Sequence, residues 1–145
     1  LLRNEFDACR RSHRQATILL IDIDHFKTIN DTWGHDVGDE AIVAITRQLQ
    51  LTLRSGDYIG RFGGDEFAVI MSGTPADSAI AAMSRVHERL VNMPLHGAPT
   101  ARLCISVGVA PWGAQFTHYR EWLKAADVAL YKAKNAGRGR TEVAA

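Results

Sequence analysis

The sequence predicts an α+β fold in which helices flank a mainly antiparallel sheet. Three observations support this class: one apolar run typical of a buried strand, two short strand-like runs joined by a glycine-containing turn, and four segments of helical period. The chain has 145 residues, 46% of them hydrophobic, which suits one domain over residues 1–145. The expected order of elements is α, β, α, β, β, α, β, α, β.

The first third of the chain is expected to form a helix, a strand and a second helix. Residues 1–15 place their apolar side chains at helical spacing. Residues 17–23 are apolar at successive positions, which is typical of a strand covered on both faces, and the strand ends in the acidic residues Asp22 and Asp24. Residues 39–53 carry one apolar face and are therefore expected to form an amphipathic helix.

A β-hairpin is expected next along the chain. Two strand-like runs, residues 57–62 and 67–71, are separated by residues 63–66 with the sequence Gly-Gly-Asp-Glu, a connection of hairpin length. Because such connections lie at the ends of strands, we expect this tip to be exposed.

A helix, a strand, a final helix and a short strand are expected in the second half of the chain. The first of these helices is predicted to begin at a side-chain cap provided by Thr74 or Asp77. Large apolar residues alternate with other residues over 103–109, as in a strand buried on one face. Residues 119–133 form one apolar helical stripe, and residues 141–143 can form a closing strand.

The composition excludes several classes of protein. Seventeen basic and sixteen acidic residues give a formal charge of +1, which argues against a general nucleic-acid binder and against binding to anionic membranes. No apolar run approaches the ~20 residues of a membrane span, so we expect these residues to make no membrane contact. Cys9 and Cys104 lack zinc-binding spacing and suit a reducing, cytosolic setting.

Two acidic spots are candidates for a metal site. Asp22 and Asp24 end the first strand, and Asp65 and Glu66 lie at the hairpin tip. If the hairpin pairs beside the first strand, these carboxylates meet, and their oxygens suit Mg²⁺ shared with substrate phosphates. Asp22 and Asp65 are the candidate ligands. The alternative is a solvated turn, because turns favour Asp and Gly for backbone reasons alone.

Three separated motifs resemble those of the GGDEF family of diguanylate cyclases. They are Arg-Phe-Gly-Gly-Asp-Glu-Phe at 61–67, the segment 22–40 that begins Asp-Ile-Asp-His-Phe-Lys, and Asp-Val-Ala-Leu-Tyr-Lys-Ala-Lys-Asn-Ala-Gly-Arg at 127–138. The resemblance covers essentially the whole chain and implies a nucleotide-cyclase-like, ferredoxin-related sandwich. The family motif DxLTGLxNR, which usually precedes the first helix, has no counterpart, so we expect this N-terminal family segment to be missing.

The resemblance implies a divalent metal and a pair of catalytic acids. Asp22, Asp65 and the backbone carbonyl of Ile23 match the metal ligands, and two Mg²⁺ or Mn²⁺ ions are expected per active site. Asp65 and Glu66 match the catalytic acids, and the Asp65 position is also implicated in activating a 3′-hydroxyl. A divalent ion favours the alkoxide form of this poor nucleophile and offsets charge on the α-phosphate.

GTP is the substrate that the resemblance implies. Asn30 and Asp39 match the guanine-binding residues, and a carboxylate can accept hydrogen bonds from both N–H groups on the Watson–Crick edge of guanine. The alternative role for Asp39 is that of a helix N-cap. The other residues that match substrate-binding positions of the family are Phe26, Lys27, Gly63, Gly64, Lys134 and Arg138.

Two of these residues match the phosphate clamp of the family. Lys134 and Arg138, expected to lie one helical turn apart in the final helix, can converge on one anion. The alternative is an ordinary helix end, where cations are favourable with or without a ligand.

The segment Arg54-Ser55-Gly56-Asp57 resembles the RxxD inhibitory site, which in the family binds cyclic di-GMP away from the active site. The Arg54 guanidinium can meet guanine or phosphate as a fork, and the Asp57 carboxylate can accept from guanine N–H groups. Arg85, on the exposed side of a helix, is the candidate for an additional arginine of this site. A simple turn and a solvated surface arginine are the alternatives.

The resemblance implies an enzyme that condenses two GTP molecules into cyclic di-GMP, its product and inhibitor, with release of pyrophosphate. Because the product is two-fold symmetric, a homodimer is expected, in which each 3′-hydroxyl attacks the α-phosphate of the other GTP. The expected location is the cytoplasm, with the longer protein anchored in the bacterial inner membrane. The alternatives are a non-catalytic receptor for GTP or cyclic di-GMP, a cyclase that makes a cyclic mononucleotide, and a dimerisation module.

Overall fold

The computed structural model describes residues 1–145 as five helices and one five-stranded sheet. The helices are α1 (Leu2–Ser12), α2 (Phe26–Trp33), α3 (His35–Thr52), α4 (Ala76–Val91) and α5 (Tyr119–Asn135). The strands are β1 (Ala16–Ile23), β2 (Tyr58–Phe62), β3 (Glu66–Ser72), β4 (Ile105–Pro111) and β5 (Thr141–Val143). None of the helices combines the length and the apolar character that crossing a membrane requires.

The sheet has the order β2-β3-β1-β4-β5, which places β1 at its centre. All neighbouring strands are antiparallel except β4 and β5, which run parallel. The predicted class, an α+β fold with a mainly antiparallel sheet, is therefore confirmed. The hairpin of β2 and β3 lies beside β1, and in this register Asp22 is opposite Glu66 of β3 and Ser106 of β4.

β1 is buried along its whole length because helices cover both faces of the sheet. Successive side chains of a strand point to opposite faces. Leu19, Ile21 and Ile23 enter a large core shared with α2, α3 and α4. Ile18 and Leu20 enter a smaller core shared with α1 and α5. The position of a residue in β1 therefore decides which helical layer its side chain meets.

The structure contains one helix more than the sequence pattern predicts. α2 follows β1 almost directly, and α3 begins at His35 rather than at the expected Asp39. Ile29 is the only buried residue of α2, so the helix has too little apolar periodicity to be recognised in the sequence. It forms because Ile29 packs into the large core. Gly34, with a φ of 93°, separates the two helices.

β4 is buried on both faces, which corrects the prediction of a half-buried strand over residues 103–109. Within β4 the face predicted to be solvated carries Ser106 and Gly108; Ala110 continues this face, and α5 covers it. A Cβ added at Gly108 would lie only 2.2 Å from the carbonyl oxygen of Ala126 in α5. The alternation of large and small residues in β4 therefore reflects close packing of a helix and not contact with solvent.

α4 begins without the side-chain cap that the sequence predicts. Pro75 is its N-cap residue, and no side chain accepts a hydrogen bond from the first turn. Thr74 is buried, and its hydroxyl donates instead to the Ser72 carbonyl oxygen at 3.2 Å. Asp77 lies within the first turn, where its negative charge is favourable near the helix N-terminus.

Gly108→Ala is expected to destabilise the domain, because the added methyl group would meet the backbone of α5. Overpacking of this kind costs about 1–3 kcal/mol, and thermal unfolding followed by circular dichroism measures the loss. Gly60→Ala in the edge strand β2 is the matched control, since its Cβ would meet only the Tyr58 side chain, at an ordinary contact distance of 3.4 Å. Equal melting temperatures for the two variants would contradict the close packing of α5 on β4.

Candidate active site

Three carboxylates meet where β1 ends and the hairpin of β2 and β3 turns. One oxygen each from Asp22, Asp65 and Glu66 lies within 4.8 Å of the other two. Glu66 is opposite Asp22 across the two strands, and the Ile23 N–H donates to the Asp65 carbonyl oxygen at 3.1 Å. The sheet register thus brings together the acidic spots that the sequence singled out.

The hairpin tip is accessible, as the sequence predicts. Gly63 has a φ of 71°, a left-handed conformation that glycine adopts at little cost. The Arg61 side chain donates to the Gly64 carbonyl oxygen at 2.9 Å and braces the turn. Both glycines and Glu66 are exposed, whereas Asp65 is half-buried. A ligand can therefore reach the cluster from the side of the tip.

The cluster fits a divalent cation. Asp22 is buried, and its Oδ1 atom has no hydrogen-bond partner. A buried charged oxygen without a partner is costly, and a cation among three carboxylates would remove that cost. The Lys134 ammonium group contacts the other carboxylate oxygen of Asp22. Because every donor is an oxygen, the set suits a hard cation.

Partial burial, together with neighbouring negative charge, raises the pKa of two of the carboxyl groups. Partial burial is the main reason for the raised pKa of Asp65, and repulsion from Asp22 adds to it. Burial also comes first among the causes that raise the pKa of Glu66, followed by the charges of Asp22 and Asp65. The positive charge of Lys134 opposes both shifts. Added positive charge is therefore favourable at this point of the fold.

The two cations expected to bind phosphate do not share one helix turn, which corrects the prediction. Lys134 lies in the last turn of α5, whereas Arg138 lies beyond the helix with a left-handed φ of 62°. The helix ends at Asn135 with Ala136 as its C-cap residue, and Gly137 then has a positive φ of 119°. Both side chains nevertheless reach the end of β1: Lys134 contacts Asp22, and Nη1 of Arg138 lies 3.9 Å from Asp24.

Asp24 joins this region through contacts that the sequence pattern does not reveal. It is 4% exposed, and its carboxylate accepts hydrogen bonds from the Ser106 hydroxyl at 2.6 Å and the Gly139 N–H at 2.8 Å. Its only signal in the sequence is an acidic residue directly after a buried strand. Ser106 gives no signal, because it is one of the small residues that alternate with large ones in β4.

The residues expected to bind guanine lie on α2 and α3. Asn30 is half-buried, and its Oδ1 atom has no hydrogen-bond partner. A Cβ added at Gly38 would lie 1.8 Å from that oxygen, so the Asn30 side chain depends on a glycine there. Asp39 is the next residue of α3 and is exposed. Because Gly38 has no side chain, the unpaired amide oxygen of Asn30 can lie close to the turn of α3 that carries the exposed carboxylate of Asp39.

The alternative role of Asp39 as a helix N-cap is wrong. Gly34 is the N-cap residue of α3, and Asp39 lies within the helix. Phe26, at the start of α2, is partly buried against the large core, and Lys27 beside it is exposed. The start of α2 therefore presents backbone N–H groups just beyond the acidic end of β1.

Arg54, Asp57 and Arg85 line one cavity of about 330 Å³. The Arg54 N–H donates to the Asp57 carboxylate at 2.9 Å, and the Asp57 N–H donates to the Arg54 carbonyl oxygen at 3.0 Å. The Arg54 guanidinium contacts the hydroxyl of Thr74, which also lines the cavity. The segment is therefore a turn that also forms the polar wall of a cavity.

Comparison with known families identifies the domain. The family described as diguanylate cyclase, GGDEF domain, matches residues 1–140. The chain belongs to the GGDEF family. The probable diguanylate cyclase DgcC of Escherichia coli K12 is 74% identical over 145 residues, which are 100% of this GGDEF domain and 39% of that protein. The three sequence motifs resemble in particular those of DgcC, which is also called AdrA, and the 74% identity confirms this resemblance.

Solved GGDEF structures share the fold. The active GGEEF domain of a diguanylate cyclase from Vibrio cholerae matches with a TM-score of 0.93 and 28% identity, over 99% of this chain and 92% of that one. The GGDEF domain of DgcB from Caulobacter crescentus, in complex with c-di-GMP, matches with a TM-score of 0.92 and 26% identity, over 99% and 85% of the two chains. The predicted cyclase-like fold is confirmed.

Asp65→Asn is expected to raise the melting temperature of the GGDEF domain when a chelator is present, because it removes a carboxylate charge that partial burial and the neighbouring Asp22 both disfavour. The raised pKa means that the folded state binds this proton more tightly than the unfolded chain does, so the charged form of Asp65 destabilises the fold as the pH rises above about 4. Partly exposed charges interact by only about 0.2–1 kcal/mol, so the gain should be about 1–3 °C.

Thermal melts at about pH 4 and about pH 7 test this pH dependence, and the gain in melting temperature caused by Asp65→Asn should be larger at the higher pH. Asp77→Asn is the matched control, since Asp77 is an exposed carboxylate of α4 outside the cluster, and it should give no gain. A gain of the same size at both pH values would show that the charge of Asp65 is not the cause.

Proposed function

We propose that this GGDEF domain condenses two GTP molecules into cyclic di-GMP and releases two pyrophosphates. The acidic cluster is the observation that carries the proposal: oxygens of Asp22, Asp65 and Glu66 lie within 4.8 Å of one another, beside the ammonium group of Lys134. Nucleotidyl transfer depends on positioning and on balancing phosphate charge, which carboxylates for a cation and nearby basic side chains can provide. Membership of the family supports the same activity.

In each half-reaction, a bond forms between the 3′-oxygen of one GTP and the α-phosphorus of the other, and the bond to the pyrophosphate leaving group breaks. Asp22, Asp65 and the Ile23 carbonyl would hold a divalent cation, which would supply Lewis-acid stabilisation of the charge on phosphate and 3′-oxygen. We propose Mg²⁺ or Mn²⁺, two per site, with Glu66 as the further carboxylate. Asp65, at the accessible tip, takes the proton from the 3′-hydroxyl.

The triphosphate is proposed to lie between the end of β1 and the end of α5. Lys134 contacts Asp22, so a cation that takes over this carboxylate frees the ammonium group for phosphate. Arg138 is 41% exposed and can present a guanidinium fork to the same group. Backbone N–H groups are proposed to complete the contacts; they belong to Phe26, Lys27, Gly63 and Gly64.

Guanine is proposed to bind at Asn30 and Asp39. The Asp39 carboxylate accepts from the two N–H groups of the Watson–Crick edge, and Asn30 contributes the amide oxygen that has no partner within the protein. Adenine presents an acceptor at N1, which would face the carboxylate unpaired. The site is therefore expected to select GTP over ATP by a penalty on the wrong base.

A homodimer is proposed as the active form. Each domain has one acidic cluster and one pair of guanine-binding candidates, so each domain is expected to bind one GTP. The product contains two equivalent phosphodiester links. Two copies with their sites facing each other would form both links by the same chemistry, since each holds the electrophile for the other's nucleophile.

Asp65→Ala is expected to reduce cyclic di-GMP formation by at least about 100-fold, because the variant lacks both a cation ligand and the proton acceptor. The fold should persist, since the hairpin tip is accessible. Chromatography of the products formed from GTP and Mg²⁺ at high protein concentration measures the loss, and a chelator should abolish the product of the unchanged protein.

Asp77→Ala is the matched control and should retain full turnover. Turnover retained by Asp65→Ala would remove Asp65 from the mechanism. GTP bound without product by the unchanged protein would favour a receptor over an enzyme.

We also propose that cyclic di-GMP inhibits the enzyme by binding the cavity lined by Arg54, Asp57 and Arg85. Two guanidinium groups beside one carboxylate can pair with both the phosphates and the guanine N–H groups of this ligand. The DgcB domain from Caulobacter crescentus, which shares this fold, has been solved in complex with c-di-GMP.

Arg54→Ala is expected to weaken inhibition by added cyclic di-GMP at least about tenfold, since a guanidinium contact that the bound product covers is worth about 1.4 kcal/mol or more. Initial rates over a series of product concentrations give the inhibition constant. Arg47→Ala, an exposed arginine of α3 outside the cavity, is the control. An inhibition curve that Arg54→Ala leaves unchanged would restrict the segment to its role as a turn.

The domain is proposed to act in the cytoplasm, as the catalytic part of a longer protein anchored in the bacterial inner membrane. It spans 39% of its E. coli relative DgcC. Its two cysteines, Cys9 and Cys104, are free, as in a reducing compartment.

A further inference from the structure

Asp24 is a buried ionisable group that the proposed reaction does not use. Its side chain is 3% exposed, whereas Arg138, whose Nη1 lies 3.9 Å from Asp24 Oδ1, is 41% exposed. Burying a carboxylate is costly unless it is paired and hydrogen-bonded. Three groups from two parts of the chain provide the pairing: the Ser106 hydroxyl in β4, and the Gly139 N–H and the Arg138 side chain after α5.

The segment that Asp24 holds has an unusual backbone. Gly137, Arg138 and Gly139 have successive positive φ angles of 119°, 62° and 57°. For a residue with a side chain the left-handed conformation is unfavourable, so Arg138 stays there only if other contacts hold it. The Arg138 N–H donates to the Ala133 carbonyl oxygen at 3.0 Å, and the Gly139 N–H donates to Asp24 Oδ2 at 2.8 Å.

Asp24 is itself fixed from the sheet. Its N–H donates to the Cys104 carbonyl oxygen at 2.9 Å, and its Oδ1 accepts from the Ser106 hydroxyl at 2.6 Å. One carboxylate oxygen is thus fixed by β4, and the other holds the turn that follows α5. This arrangement ties Arg138 to the same strand end that carries Asp22.

We propose that Asp24 is a positioning residue for GTP, which holds the Arg138 guanidinium at the triphosphate without touching the substrate. The inference rests on the proposed function, because it requires Arg138 to bind phosphate. Nη1 of Arg138 lies 3.9 Å from Asp24 Oδ1, an ion pair beyond hydrogen-bond distance, so none of the five N–H donors of the guanidinium is used by Asp24. All of them stay free for phosphate oxygens, while the charge of the carboxylate attracts the guanidinium toward the end of β1.

A double-mutant cycle on ligand binding tests this role. The probe is 3′-deoxy-GTP with Mg²⁺, which lacks the nucleophile and cannot react, and calorimetry gives its dissociation constant. Asp24→Asn keeps the size of the side chain and an acceptor for Gly139 but removes the charge. It should weaken binding about three- to tenfold in the otherwise unchanged domain, and should weaken it no further in an Arg138→Ala background.

Lys134→Ala supplies the matched background. Lys134 contacts Asp22 and not Asp24, so the losses caused by Asp24→Asn and Lys134→Ala should multiply. Wild-type affinity in Asp24→Asn, or losses that multiply with Arg138→Ala as fully as with Lys134→Ala, would overturn the positioning role. So would an Arg138→Ala variant that binds the probe normally.

If the proposed function is wrong and the domain does not bind GTP, the result is different, since the unchanged domain would then not bind 3′-deoxy-GTP at all. If Asp24→Asn does not fold, Ser106→Ala takes its place in the cycle, because it removes one hydrogen bond to Asp24 and leaves the charge. A loss of affinity that disappears in the Arg138→Ala background supports the role, and a loss that persists there overturns it.

Discussion

β1 is buried on both faces, and the alternation of its side chains sets the positions of the rest of the site. Odd-numbered residues near its end enter the core beneath α2, α3 and α4, while even-numbered residues face α1 and α5. Asp22 and Asp24 are even-numbered, so their side chains point toward the end of α5. Lys134 and Arg138 lie at that end and meet one carboxylate each. One strand therefore fixes both the packing of the helices and the pairing of charges.

The cost of placing carboxylates at a buried strand end explains several features together. Asp22 retains an unpaired buried oxygen, and the pKa of Asp65 and of Glu66 is raised. Burial and repulsion between the carboxylates are unfavourable in such a cluster, and binding a cation together with an anionic substrate could relieve both. Asp24 lies two residues after Asp22, and both of its carboxylate oxygens accept hydrogen bonds within the protein. It therefore stabilises the local structure and is not a candidate cation ligand. The same strand end thus contains one carboxylate suited to a ligand and one suited to structure.

The acidic cluster and the Arg54 cavity lie at opposite ends of β3. Glu66 begins the strand and belongs to the acidic cluster, whereas Met71 near the other end of the strand lines the cavity. A rise of about 3.3 Å per residue separates the two positions by roughly 17 Å along the strand. α4 and α3 form the other walls of the cavity, so a ligand there would contact the layer of helices opposite α5. A product bound in the cavity would therefore act at a distance from the reacting atoms.

The sequence by itself determined the elements that carry their own local pattern: the buried run of β1, the hairpin with its acidic tip, and the long amphipathic helices. The acidic residues at the strand end and the hairpin tip indicated Asp22 and Asp65, and the family motifs added Asp39. Only the tertiary structure decided that α2 is a helix, that α5 covers the small-residue face of β4, and that Arg138 lies beyond α5. The physical reason is that periodicity reports which side chains are apolar, but not which distant segment covers them. The hydrogen bond from Gly139 to Asp24 joins residues 115 positions apart, and no local pattern encodes it.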